Sequence, residues 1–192
     1  YFFQANRKDD DLIRGLATKD VALQEKAKKE KAALMVQRDA NAKLAVNQYT
    51  QIVQKYRDYP RTDEVLFFLA HNLMDLNEEK KALIAYGKLV KDYPKSRFVP
   101  DAYLAFGEYY FNNSRGRRDW LLKALEAYKS AANYPESAIY GFALYKQGWC
   151  HFNLTDYPRA MDLFKATVLY GEFAGSAALE KQGGAKGKNT LI

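Results

Sequence analysis

The sequence predicts an all-α protein, an array of helical hairpins behind a long N-terminal helix. Three observations predict it. Apolar residues recur at i, i+3, i+4 and i+7, the period of one helix face. Tyr-Pro pairs stand at Tyr59-Pro60, Tyr93-Pro94 and Tyr134-Pro135, so helix-stopping prolines return after 34 and then 41 residues. Gly107 and Gly148 interrupt helix-like runs, each 13 residues after one of those prolines.

Residues 1–44 form a charged N-terminal helical segment. Its opening, "YFFQANRKDDD", is not a signal peptide, because the apolar part is too short and acids follow it. Residues 16–44 are rich in Lys, Glu and Ala, with a partial stripe of Val21, Leu23, Ala33, Leu34 and Val36. This helix is expected to run into residues 45–60 and to cap the array. There Ala45 and Tyr49 mark the second helix of a partial hairpin.

Three fuller units follow within the array at 45–172. In 61–94, Leu66, Leu69, Ala70 and Leu73 share one face, and Asn77-Glu78 breaks the helix. Ala82, Tyr86, Leu89 and Val90 then line a second helix that stops before Pro94. In 95–135 the same grammar reads Tyr103, Phe106, Gly107, Tyr110, then Ala124, Tyr128, Ala131, with extra length in "FNNSRGRRDW". In 136–172 it reads Leu144, Gln147, Gly148, His151, then Ala160, Phe164, Thr167. Tyr157-Pro158 is a different use of the dipeptide: Pro158 falls near a helix start, where proline is tolerated. Residues 173–192, with Gly175, Gly183, Gly184 and Gly187, read as a flexible or truncated C-terminal segment, weakly ordered after about Gly183.

The composition excludes several function classes. The net charge of +7 is spread among acids in runs such as "LQEKAKKEKAAL", which describes a solvated face better than a nucleic-acid surface. The lone Cys150 permits neither an internal disulfide nor a cysteine zinc site, and two histidines make a poor metal set. No metal ligands, cofactor or catalytic residues are expected. No apolar run reaches 18 residues, so no helical membrane span is predicted. There is no nucleophile elbow, phosphate loop or paired-histidine zinc motif. Asp9-Asp10-Asp11 lacks calcium-loop spacing. Cys150 and His151 are neighbours that do not face together on a helix, so Cys150 reads as a packing residue.

The spaced positions Leu66-Leu69-Ala70-Leu73-Ala82-Tyr86-Leu89-Pro94 resemble the tetratricopeptide repeat family, and the next two units repeat them. Gln147 and His151 depart from the pattern. The resemblance implies a right-handed α-solenoid that scaffolds protein–protein contacts. It also implies a reason for the glycines: the helices of each hairpin approach most closely there. The facing group is expected to be the small residue Ala82, Ala124 or Ala160.

The resemblance also implies a concave groove lined by the first helix of each hairpin. It would carry Glu64, Phe67, His71, Met74 and Asp75, then Asp101, Leu104, Glu108, Phe111 and Asn112, then Phe142, Tyr145, Trp149, Phe152 and Asn153. Exposed aromatics anchor partners, but these either line a peptide groove or pack between neighbouring first helices or under the N-terminal helix. Asn112 and Asn153 either hold an extended peptide backbone or end their helices. Arg115, Arg117 and Arg118 form a second candidate, a basic loop that binds phosphate or an acidic partner, or is simply solvated. Trp120 is expected to bury itself at the start of the following helix.

The Y-P-x-S spacing is similar to the repeats of bacterial cell-envelope proteins of the BamD and CpoB (YbgF) kinds and of myxobacterial gliding machinery. That similarity implies a non-enzymatic envelope scaffold, periplasmic or outer-membrane associated. Its partners would be other proteins, as a peptide or helix in the groove. No small-molecule substrate is expected, nucleic acid is disfavoured, and membrane contact would come only through an anchor outside this chain. The alternatives are an oligomerising subunit that uses the array ends and N-terminal helix, or a cytoplasmic adaptor.

Overall fold

Seven α-helices succeed one another in the computed structural model, which describes residues 20–56 and 58–183. They are α1 (Val21–Lys55), α2 (Thr62–Asp75), α3 (Glu79–Asp92), α4 (Val99–Asn112), α5 (Arg118–Ala131), α6 (Tyr140–Asn153) and α7 (Tyr157–Gly183). Each packs on the next. The pairs α2/α3, α4/α5 and α6/α7 are the three hairpins. Their short connections make neighbours antiparallel. The expectations for residues 1–19 and 184–192, including the Asp9–Asp11 run, lie outside the described residues.

No break falls at residue 45. α1 is one helix of 35 residues, capped by Asp20, whose Oδ1 accepts from the N–H groups of Ala22 (2.9 Å) and Leu23 (3.3 Å). Its C-terminal half meets the array, where Val46, Tyr49 and Val53 pack on the first hairpin. Residues 173–183, the described part of the segment expected to be flexible or a truncated further unit, continue α7. The run Ala177-Ala178-Leu179-Glu180-Lys181 is made of strong helix formers, which outweigh Gly175.

The Tyr-Pro pairs build one turn three times. The N–H of Thr62, Ser96 and Ser137 donates to the carbonyl of Tyr59, Tyr93 and Tyr134 at 3.1, 2.9 and 3.0 Å. Proline presets the backbone angle that such a turn needs at its second position. In two of the turns the serine hydroxyl then accepts from an N–H at the start of the next helix, Phe98 at 3.3 Å and Ile139 at 3.4 Å. The motif is therefore Y-P-x-S/T, a turn that hands one hairpin to the next. Within the hairpins, α2 and α6 end on left-handed residues, Asn77 (φ 58°) and Thr155 (φ 64°). Glu78 and Asp156 N–H reach back to the carbonyls of Leu73 (2.8 Å) and His151 (2.9 Å), closing both helix ends alike.

The glycines sit where expected but face something else. A Cβ on Gly107 would lie 2.3 Å from the ring of Tyr128, and one on Gly148 would lie 2.6 Å from the ring of Phe164. The group that demands glycine is thus the aromatic one turn after Ala124 or Ala160, lying flat on the backbone of the facing helix. The alanines, buried themselves, let that helix come close. Gly141 is a further case, with the Tyr170 ring 2.7 Å from its would-be Cβ. Burial follows the repeat: Leu66, Leu69, Ala70, Leu73, Ala82, Tyr86 and Leu89 form one core, and Ala124, Leu125, Tyr128 and Cys150 form another.

Candidate functional site

The expected groove residues fall at matching places on α2, α4 and α6, but the three helices treat them differently. On α2, Phe67 stacks on Phe98 of the next hairpin, with centroids 4.4 Å apart and planes at 16°. Met74 packs on the first core. His71 is exposed and pairs with Asp75 at 3.5 Å. Glu64 is held by Arg61 through two short hydrogen bonds of 2.7 and 2.6 Å. A half-open cleft of about 550 Å3 lies between the second and third Tyr-Pro turns, lined by residues that include Phe67, Arg97, Phe98, Asp101 and Ile139. Burial pushes the Asp101 carboxyl above its ordinary range.

On α4 the site is filled from inside the molecule. Glu108 Oε1 accepts from the Tyr128 hydroxyl at 2.7 Å. Both carboxylate oxygens of Glu108 also meet the Lys146 ammonium, at 2.8 and 3.1 Å. That ammonium lies 4.6 Å over the Phe111 ring and 5.8 Å from the rings of Phe142 and Tyr128. Gln147 completes the link by donating to the Tyr128 carbonyl at 3.3 Å. Burial first, and then the bond to Glu108, raise the Tyr128 hydroxyl pKa well above its usual value, so it stays a donor. Leu104 and Phe111 are half-buried against the same cluster. The expected groove between α4 and α6 is therefore occupied by Lys146, a residue absent from the sequence-derived set. Its only sequence signal is its place one turn after Phe142. No spacing rule pairs it with Glu108, 38 positions earlier.

On α6 the equivalent residues are open. Phe142, Tyr145, Trp149 and Phe152 are 47, 38, 37 and 46 % exposed. Their rings touch in series at 6.1, 6.1 and 5.5 Å, and Phe152 continues the series to Tyr157 at 5.4 Å. Asn153 does not offer its amide to a partner; the group donates to its own helix at Trp149 O, 2.8 Å away. Asn112 is exposed.

The three arginines are not equivalent. Arg117 folds back, donating to the Ser114 carbonyl at 3.3 Å and lying 4.4 Å over Trp120. Arg115 and Arg118 are exposed. Trp120 is half-buried beside Tyr109 and Tyr110. Cys150 is fully buried, and burial pushes its thiol up to about 12, so it packs and does not attack. His151 is buried beside it, with Nδ1 3.2 Å from Asp156 Oδ2. Among the described residues no group of His, Cys, Asp and Glu is placed to hold a metal ion, and no helix is long and apolar enough to cross a membrane.

Residues 65–96 and 142–169, the bodies of the first and third hairpins, match the family model of the tetratricopeptide repeat. No curated protein and no solved structure matches the chain. Repeats of this family are generally non-enzymatic modules for binding other proteins. All three hairpins here are entered through the same Tyr-Pro turn, five of their six helices are 14 residues long, and the second and third share the ring-on-backbone contact. The chain carries tetratricopeptide repeats, and its described residues form a solenoid of helical hairpins.

Proposed function

We propose that this protein is a scaffold of a bacterial cell-envelope complex and holds a partner protein on the aromatic face of α6. The observation that carries the reading is the exposed series Phe142, Tyr145, Trp149 and Phe152. Contiguous exposed aromatics cost solubility and are the usual anchors of recognition. The envelope setting, periplasmic and near the outer membrane, is supported by the Y-P-x-S grammar that such proteins share. The test is capture by a photo-crosslinker placed at Phe152, followed by fractionation of the cells. Trp149→Ala with Phe152→Ala should abolish capture while helical circular dichroism stays unchanged. Capture that survives the pair of substitutions refutes the aromatic face. Recovery of the protein with the cytosol refutes the setting.

Self-association is the second reading. The N-terminal half of α1 exposes Val21, Leu34, Met35 and Val36. Sedimentation of the full chain across a hundredfold concentration range decides it, a constant mass ruling it out.

A further inference from the structure

The open face of the third hairpin is the third copy of a surface that the chain itself buries twice. Phe67, Leu104 and Tyr145 are equivalent positions, as are Tyr86, Tyr128 and Phe164, and Val90, Ala132 and Val168. In the first hairpin α4 covers this surface: Phe98 stacks on Phe67, Phe106 meets Tyr86 at 6.5 Å, and Val90 is half-buried. In the second hairpin α6 covers it through Lys146. In the third, Tyr145 and Trp149 both touch Phe164, at 5.9 and 5.6 Å. Beyond Phe164 the surface opens along α7 into an apolar trough of about 520 Å3. Met161, Val168 and Leu169 line it, and they are 57, 61 and 65 % exposed.

Resting on the reading that α6 binds a partner, we propose what that partner is: an amphipathic α-helix of another protein, seated antiparallel to α7 as the first helix of a further hairpin would be. Continuity with the two internal interfaces fixes its chemistry. It carries an aromatic near its start and small or apolar residues one and two turns on, as α4 does with Phe98, Ala102, Ala105 and Phe106. The charges at the trough agree with this direction. Glu172 would stand toward the N-terminal end of such a helix and Lys165 toward its C-terminal end, each complementing the helix dipole. A second copy of this chain is a poorer occupant, because the N-terminal half of α1 sets Leu34, Met35 and Val36 side by side and offers only a partial apolar stripe.

The probe is a synthetic peptide of residues 96–113, the segment that covers the equivalent face of the first hairpin. The receiver is the full chain with Trp120→Phe, which leaves Trp149 as its one tryptophan. The expected result is a saturable 1:1 blue shift of Trp149 emission with protection from acrylamide. Val168→Glu should weaken binding at least tenfold without changing circular dichroism, and a scrambled peptide should give no response. No shift, a shift indifferent to Val168→Glu, or a Trp149 already shielded in the free chain or by self-association overturns the proposal. Crosslinking of the cellular partner separates the two claims. Capture lost in Trp149→Ala/Phe152→Ala but intact in Val168→Glu leaves the aromatic face standing and removes the helix. Capture intact in both removes both.

Discussion

Gly87 and Gly107 are both interior helix glycines, and they should respond to alanine in opposite ways. Nothing lies within 4 Å of a Cβ built on Gly87. Gly87→Ala should therefore stabilise by about 0.5–1 kcal/mol through helix propensity alone. At Gly107 the same gain is overrun by the clash with Tyr128, whose ring is buried and whose hydroxyl is held by Glu108. Overpacking costs roughly 1–3 kcal/mol, and so far tight a clash with a fixed ring belongs at the upper end, leaving Gly107→Ala less stable by about 1–2 kcal/mol. Urea unfolding of the two variants checks both signs. Thr155 is a β-branched residue with φ 64°. Thr155→Gly should gain up to about 1 kcal/mol, because a left-handed backbone costs side-chain-bearing residues roughly 1–2 kcal/mol. Cys150 should react with Ellman's reagent at pH 8 only as fast as the chain opens. Its thiol titrates near 12, and reaction needs the thiolate. Prompt labelling of the native protein would contradict its burial.

The elements are joined by two devices of different character. The Y-P-x-S/T turns are local, so they stand in the sequence and could be read there. The Lys146–Glu108–Tyr128 link between α4, α5 and α6 is not local, and no periodicity announces it. Glu108→Ala would strand the Lys146 ammonium, whose side chain is only 13 % exposed. Leaving such a group without its partner costs about 2 kcal/mol. Lys146→Met in that background should recover much of the loss, since an apolar side chain suits the Phe111 and Phe142 rings. A double-mutant cycle by thermal unfolding measures the coupling. A coupling near zero would mean that the pair merely coincides.

Across the whole molecule, the exposed aromatics expected along the first helices of three hairpins are concentrated on one. Phe67, Met74, Leu104, Glu108 and Phe111 serve the joints between hairpins, and Phe142, Tyr145, Trp149 and Phe152 stay open where the described hairpins end. Stability and binding should therefore separate along the array. Phe67→Ala or Leu104→Ala should cost about 2 kcal/mol, less than a fully buried site because each is half-buried. Trp149→Ala or Phe152→Ala should change unfolding by under about 1 kcal/mol and fall on partner capture instead. A stability loss at Trp149 as large as that at Phe67 would place the α6 ladder among the packing residues.

The sequence by itself determined the class, the Tyr-Pro joints and the places where a helix must be bare. Each follows from the chain's own covalent chemistry: proline's missing N–H, glycine's missing Cβ, and the period of a helix face. It also marked which positions turn toward the first-helix face. Only the tertiary structure decided what meets them. That Tyr128 and not Ala124 lies on Gly107, that Lys146 fills the space between α4 and α6, and that the same aromatic position is half-buried at Phe67 and open at Tyr145 depend on which hairpin comes next in space. Stacking is a relation between units, and a repeat written three times in a sequence does not say which of its copies has a neighbour.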